Sequence, residues 1–412
     1  MDRNHSATNS SGRAASTAAP AVPAKRRRWY QFSLRTLIVM TVAVSVLLGL
    51  FAARLQRARK QAAAVARIQK VGGSVCYDFE VKRDTDGGWL WVDGSRSPIP
   101  GVFLRWLGRD FFHDVLVADL REEDVPSAAD MRGAVRAAAE LPQLEQFVLA
   151  YNSSYDGALG GTELDAIANC RRLKRLTLLG NAVSDDGLVI IAHMSGVSCL
   201  ELPYSPITDQ GLGRLRALSD LEQLDLRGTQ VTGAGVHWPP SLKKIDLSDS
   251  AISDASLAGL AHCRQLERLA LADTRVTDAG LAHLSSLSKL RQLRLDGTPI
   301  TDDGLMHLSK LRSLRDVSLS RIKLSSDGAK HLQVLQALES LDLSFTFVDG
   351  EFDWPAGLLR VDLDNSCLTD KGLLQLPRCR KLRSASFGHT LATSDGVKAF
   401  AKERPDVDTS NY

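Results

Sequence analysis

Leu266-x-x-Leu269-x-Leu271-x-x-Thr274-x-Val276-x-Asp278-x-Gly280-Leu281 returns 24 residues later as Leu290-x-x-Leu293-x-Leu295-x-x-Thr298-x-Ile300-x-Asp302-x-Gly304-Leu305. Each copy joins two periodicities. The Leu-x-Leu alternation turns apolar side chains to one face of a short strand. Thr277-Asp278 and Thr301-Asp302 then offer an N-cap and an acid in a first helical turn, and Leu281 and Leu284 face the same core at i, i+3. One strand–helix unit cannot bury its apolar side alone, whereas stacked copies can. Outward from this pair, the third apolar position recurs at Leu178, Leu202, Leu226, Leu247, Leu271, Leu295, Leu319, Leu343, Leu363 and Phe387, with steps of 24 broken by one of 21 and one of 20. Leu149 opens a degenerate copy 29 residues before Leu178.

These aligned positions resemble the leucine-rich repeat family, in particular its 24-residue type, over about residues 141–405. The resemblance implies an α/β solenoid with a curved parallel sheet and convex-side helices. Family members carry Asn after the strand. Here that column reads Asn181, Ser205, Thr229, Ser250, Thr274, Thr298, Ile322, Thr346, Ser366 and Thr390. A hydroxyl donates once, so the ladder persists with less capacity, and Ile322 is expected to mark an irregularity or a shift of one residue. Cys170, Cys263 and Cys379 each precede a repeat Leu by three residues, a column also found in cysteine-containing members. They read as small buried side chains too far apart to pair. The shortened copies contain Trp238-Pro239-Pro240 and Trp354-Pro355. Pro and the missing residues remove the convex helix, with Trp covering the core edge. A change of curvature follows, and a docking notch is the functional alternative.

The formal net charge of +3 hides a division. Residues 1–70 hold 13 Lys/Arg and only Asp2 as an acid, so they carry +12, and the remainder carries −9. An acidic body repels phosphates, which argues against nucleic acid as a partner. Residues 5–24 are polar and small and are expected to be disordered, within a basic segment 1–35. Lys25, Arg26, Arg27 and Arg28 precede Trp29 and Tyr30, and residues 36–53 are uncharged and apolar. At about 1.5 Å per residue those 18 residues span about 27 Å, close to a bilayer's hydrocarbon thickness. The run reads as a single transmembrane helix with an aromatic belt. The alternative, a cleaved signal peptide, would need an overlong n-region and a poor site at Leu50-Phe51-Ala52-Ala53, so an uncleaved signal-anchor is expected. Residues 54–70 read as a juxtamembrane helix, solvated or touching head groups. The Lys25, Arg26, Arg27 and Arg28 run offers contacts to anionic lipid. Five basic residues on one flank and six on the other give no positive-inside bias. The short N-terminus places the repeat domain on the extracytoplasmic side. An anchor followed by a capped array is similar to bacterial surface proteins of this kind.

Residues 71–140 break the repeat and read as an N-terminal α/β cap. Residues 74–81 and 89–92 alternate like strands, Phe112, Val115, Val117 and Leu120 resemble a degenerate repeat strand, and a helix follows over about 128–140. The array is expected to end after a helix at 395–402, with 406–412 a polar tail. No HExxH, GxSxG, CxxC or phosphate-cradling loop is present, so neither catalytic residues nor a metal or cofactor are expected. His283, His307 and His331 recur every 24 residues, but neighbouring helices about 8–10 Å apart keep such a column from sharing a metal.

The candidate site is the concave face. Outward strand positions carry Glu201, Asp225, Asp246, Asp342 and Asp362, followed by Arg227 and Asp364, with Tyr204, Asp249, Asp273, Asp296 and Phe345 toward the strand ends. Stacked about 5 Å apart, the acids reinforce one another's field. The expectation is an extended acidic surface binding a protein or peptide. The implied role is non-catalytic recognition or scaffolding at a membrane. Alternatives are an adaptor recruiting substrates to an enzyme, and an enzyme within 71–140 using Asp78, Glu80, Asp84 and Asp86.

Overall fold

The computed structural model describes residues 33–84, 88–92, 94–121, 128–150, 161–180 and 183–409. The basic run Lys25, Arg26, Arg27 and Arg28, the belt residues Trp29 and Tyr30, and Asp86 and Asn181 lie outside these residues. The chain divides into two compact units, Met1–Arg54 and Leu55–Tyr412. One continuous helix, Leu34–Lys70, runs across that boundary. It is the one helix among the described residues long and apolar enough to cross a membrane, and its apolar stretch is exposed.

In the second unit thirteen strands form one sheet. Strands Val115–Arg121, Gln146–Ala150 and Arg175–Leu179 begin a parallel series that continues in chain order to Ser384–Ser386. The register is even. Leu224, Ile245, Leu269, Leu293, Val317 and Leu341 lie side by side and are buried, as are Leu226, Leu247, Leu271, Leu295, Leu319 and Leu343. Each repeat therefore adds two strand side chains to one continuous core, and full burial of such a side chain contributes about 1.5–3 kcal/mol.

The Thr-Asp-x-Gly phrase starts the helices as read in the sequence, with Thr208, Thr277 and Thr301 as N-caps, and it has a second purpose. In several repeats a first-turn Asp accepts from the N-cap residue of the next repeat, through both backbone N–H and hydroxyl. Asp185 takes Thr208 (2.9 and 2.6 Å), Asp254 takes Thr277 (2.7 and 2.6 Å), Asp278 takes Thr301 (2.8 and 2.6 Å) and Asp370 takes Thr393 (2.7 and 2.8 Å). Thr277 and Thr301 make no side-chain cap to their own helices, whereas Thr208 and Thr393 also accept the N–H of Gln210 (3.3 Å) and Gly396 (3.1 Å). The Gly two residues after the Asp makes room for the preceding carboxylate: a Cβ at Gly211, Gly280, Gly304, Gly328 or Gly396 would overlap Asp185, Asp254, Asp278, Asp302 or Asp370. At the equivalent position Ser256 follows a repeat that supplies no such carboxylate, and its Oγ donates to the Thr232 carbonyl (2.9 Å).

The hydroxyl column also departs from expectation. Thr229, Thr274 and Thr346 donate to the carbonyl three residues back in their own repeat (2.7, 2.7 and 2.6 Å), and among the described residues of the column only Ser205 reaches the preceding repeat, at Gly180 (3.1 Å). Because the column stitches turns rather than neighbours, Ile322 causes no shift. It is buried, and strand Asp316–Ser318 pairs in register on both sides. In the shortened copies no helix lies between Gln223–Asp225 and Lys244–Asp246, or between Ser340–Asp342 and Arg360–Asp362. Trp238 and Trp354 fill the vacated space and are buried, with Phe352 against Trp354 at 4.3 Å between ring centroids.

Both sheet edges are closed. Strand Ser74–Tyr77 pairs antiparallel with Val115–Arg121. It is shorter than the alternation of 74–81 implied, because residues 78–80 turn and Val81–Arg83 pairs instead with Trp89–Trp91. Residues 54–70 are not a solvated spacer: Ala58, Gln61, Ala64, Val65 and Ile68, spaced three and four apart, are buried, and Ala64, Val65 and Ile68 join the core. Phe112 belongs to the short helix Arg109–Phe112 rather than to a strand. At the other edge the expected loose tail is partly structural. Asp408 bridges to Ser384, Val407 is buried, and Arg404 donates to the carbonyls of Cys379 and Leu382, both at 2.9 Å.

Gly304→Ala is expected to lower stability by about 1–3 kcal/mol through overpacking against Asp278. Gly213, at φ −58° with nothing near a new Cβ, serves as the control, and Gly213→Ala should stabilise by about 0.4–1 kcal/mol. Urea midpoints of the two variants check both. Equal midpoints would remove the steric account of the glycine column.

Candidate functional site

The helix-free face of the sheet is built by strand residues that alternate with the buried Leu positions. In-register pairing sets Glu201, Asp225 and Asp246 side by side, and Asp342 beside Asp362. Between these groups the same row carries Ala270, Arg294 and Ser318. The continuous acidic strip expected from the sequence is therefore two clusters. One row away, two residues earlier on each strand, stand Arg175, Lys244, Arg268 and Arg360. In the same row Cys199, Gln223, Gln292, Asp316 and Ser340 stand between them, so these basic residues are hidden when only the acids are traced.

The two clusters differ in charge balance. In the first, Arg175 pairs with Glu201 (2.5 Å), and Arg227 pairs with Asp225 (2.8 Å) and Asp246 (3.5 Å). In the second, Asp342, Asp362 and Asp364 take part in no ion pair among the described residues. Burial raises the Asp362 carboxyl above the usual range, and the charges of Asp342 and Asp364 add to this against the N–H of Asp364. Burial likewise raises Asp246, opposed by hydrogen bonds from Ser248.

These acids also hold the backbone. Asp225, Asp246, Asp342 and Asp362 each accept the N–H two residues on, from Arg227 (3.0 Å), Ser248 (3.0 Å), Ser344 (2.9 Å) and Asp364 (2.9 Å). Asp364 accepts from Ser386 Oγ and the Gly388 N–H, both at 2.6 Å. A groove of about 460 Å3 includes Asp342, Asp362, Arg294 and Arg360 in its lining, and one of about 300 Å3 includes Glu201, Asp225, Asp246 and Arg268. Arg227, Asp364, Tyr204 and Phe345 line neither.

After each strand from Arg175–Leu179 to Ser384–Ser386 one residue is left-handed. Gly180, Gly228 and Gly297 occupy this position in three repeats, but Tyr204 (φ 58°), Asp249, Asp273, Arg321 (φ 59°), Phe345 (φ 55°), Asn365 and His389 occupy it in the others. For a side chain with a Cβ this conformation costs about 1–2 kcal/mol. Tyr204 and Phe345 are nonetheless 60% and 56% exposed. Tyr204 lies so close over Gly228 that a Cβ there would overlap its ring. Arg321 reaches back two repeats to Asp273 (2.9 Å).

In residues 71–140 the carboxylates proposed for catalysis have separate partners. Asp84 accepts the Gly88 N–H (2.7 Å), and Glu80 takes the Tyr77 N–H (2.9 Å) and Arg109 (3.3 Å). Asp78 lies 2.7 Å from His113 Nδ1, whose Nε2 lies 2.7 Å from Ser97 Oγ. This Ser–His–Asp chain has the connectivity of a nucleophile relay, but its exposure runs the wrong way. The His ring is enclosed under Phe79 (centroids 4.3 Å apart), Asp78 faces water, and Ser97 Oγ already accepts the Ile99 N–H (3.1 Å). It fastens the loop before residue 100 to the sheet edge.

The cysteine column is more specific than apolar filler. Cys170, Cys263 and Cys379 direct their thiols at the carbonyls of Ala139, Pro239 and Pro355 (3.7, 3.6 and 3.8 Å), and burial pushes each thiol up to about 11. All six cysteines are free. His283 and His331 are exposed and His307 half-buried, and no cluster able to hold a metal occurs among the described residues.

A family model described as Leucine Rich repeat matches residues 286–309, one period of this array. That period is a leucine-rich repeat, and its spacing recurs along the array. No curated protein matches the chain. Similar solved structures include an internalin from Listeria monocytogenes, 19% identical over 71% of this chain and 79% of that one, with a TM-score of 0.48. A leucine-rich repeat protein from Leptospira interrogans is 14% identical over 72% and 90%, with a TM-score of 0.42. A leucine-rich repeat sheet of this kind offers a surface for protein–protein interaction.

The raised carboxyl on this leucine-rich repeat face gives a pH test. A folded-state pKa above the unfolded value means that the native state binds the proton more tightly. Stability is then lost as pH rises from the ordinary carboxylate value of about 4 through the folded value. Asp362→Asn keeps an acceptor for the Asp364 N–H and removes the charge. It should raise the thermal midpoint at about pH 7, and the gain should vanish near pH 3, below the unfolded pKa. A pH-independent difference would show that charge is not the cause.

Proposed function

We propose that this chain is a membrane-anchored, non-catalytic recognition protein. In this reading residues 36–53 cross the bilayer, Lys25, Arg26, Arg27 and Arg28 meet anionic lipid, and the repeat domain faces the extracytoplasmic side. It holds a protein or peptide on the helix-free face through Glu201, Asp225, Arg227, Asp246, Asp342, Asp362 and Asp364, with Tyr204 and Phe345 as apolar contacts at the edge.

The observation that carries this reading is Phe345. It is exposed and left-handed where three other repeats place Gly, and it stands between Asp342 and Asp362–Asp364 in the sequence, the acids without ion-pair partners among the described residues. A large exposed ring retained against a backbone penalty is accounted for by what it contacts. The uncompensated acids select a partner with basic side chains beside an apolar one, and leaving three carboxylates unpaired is the cost such a partner would relieve.

Phe345→Gly separates binding from folding, because the backbone there favours Gly. The variant should match or exceed the wild-type thermal midpoint, while the proteins that wild type enriches in proximity labelling are lost. Asp342→Asn with Asp362→Asn, which retain the backbone acceptors, should lose the same proteins. Unchanged enrichment in both variants would remove the site. For the anchor and its orientation, alkaline carbonate should leave the full chain in the membrane pellet. Protease added to sealed spheroplasts of an expressing bacterium should digest the repeat domain. Digestion only after lysis would place that domain inside.

A further inference from the structure

The helix Gly101–Leu107 buries none of its side chains. Val102, Phe103 and Trp106 are 61%, 49% and 85% exposed, so one short helix displays three large apolar groups. Basic residues flank and interrupt them: Arg96, Arg105 and Arg109 are the charged residues of 96–109, with no acid among them. Arg109 is engaged by Glu80 (3.3 Å), whereas Arg96 and Arg105 are in no ion pair among the described residues. Exposed aromatic and apolar side chains interleaved with arginine are the signature of a segment lying in a membrane interface, its rings at the acyl boundary and its guanidinium groups on phosphates.

Chain connectivity supplies the second argument. Gln61 is buried and donates to Asp110 Oδ1 (3.0 Å) and to the His113 carbonyl (2.8 Å). Asp110 also accepts the Tyr77 hydroxyl (3.0 Å). The segment that follows Leu107 is thus fixed to the helix Leu34–Lys70 at a residue eight positions beyond the apolar run 36–53. We propose that helix Gly101–Leu107 docks into the interface of the bilayer that residues 36–53 cross, with Trp106 and Phe103 at the acyl boundary and Arg96 and Arg105 on anionic head groups. The proposal rests on the anchored reading above. It adds a second membrane contact, made by the cap itself.

Full-length wild type and Trp106→Phe are reconstituted in phosphatidylcholine/phosphatidylglycerol vesicles with and without brominated acyl chains, and tryptophan emission is recorded. Brominated lipid should quench the wild type more than the variant, the difference being Trp106. That difference should shrink in phosphatidylcholine alone, where the arginines lose their anionic partners. Equal quenching of both proteins overturns the proposal. So does an ultraviolet crosslink from a benzoylphenylalanine at position 102 that joins two copies of the chain or another protein rather than lipid. Carbonate extraction reads the anchor separately. A wild type released by carbonate fails the anchored reading, whereas a retained wild type with unquenched Trp106 fails only the docking of this helix.

Discussion

The bridge from a first-turn Asp to the N-cap Thr or Ser of the next repeat sets the convex side of this array. It takes both the N–H and the hydroxyl of the residue that begins the following helix, as Asp254, Asp278 and Asp302 do for Thr277, Thr301 and Ser325. Glycine two positions on is the steric counterpart, since any Cβ would occupy the carboxylate's place. Strand register on one side and this bridge on the other fix each repeat at two points, and stacking then buries the Leu columns without slip. Where the bridge is interrupted the sequence compensates locally. Ser256 fills the glycine position after a helix-less repeat, and Trp238 or Trp354 fills the volume of the missing helix.

A stacked array leaves two open edges, and each is closed by chain that the repeat pattern does not describe. At the N-terminal edge an antiparallel strand and the buried face of residues 58–68 cover the first repeat. At the C-terminal edge Arg404 collects the carbonyls of the last turn, and Asp408 adds a final bridge. The helix that carries the apolar run in its first half is thus part of the folded core in its second. Apolar run and cap helix are one continuous element, and a change at Gln61 or Ile68 would act on the cap.

The acids of the helix-free face serve two purposes at once. Asp225, Asp246, Asp342 and Asp362 each accept a backbone N–H at the end of their strand, which explains why Asp recurs there without reference to any partner. Their electrostatics differ by neighbourhood. Arg175 and Arg227 offset Glu201, Asp225 and Asp246, whereas Asp342, Asp362 and Asp364 stand together unpaired, with burial raising Asp362. Charge at the second cluster and exposed Phe345 in the same stretch are the features that backbone geometry alone does not require.

The sequence by itself determined the repeat, its phase, its shortened copies and the apolar run, because all four are written in spacings of Leu, Trp and charge along one dimension. It also placed Glu201, Asp225, Asp246, Asp342 and Asp362 on one row. What it left undecided depends on which residue meets which across repeats. The Asp–Thr bridges and the carbonyls under Cys263 and Cys379 join residues about one period apart, and the same composition fits helix starts and apolar filler equally well. The division of the acidic row into a compensated and an uncompensated cluster required the lateral register with Arg175 and Arg227. The burial of residues 58–68 required the strand pairing that brings residues 74–77 against 115–119. Periodicity reports which face a side chain takes. Only the tertiary structure, by choosing the neighbours, decided what that face touches.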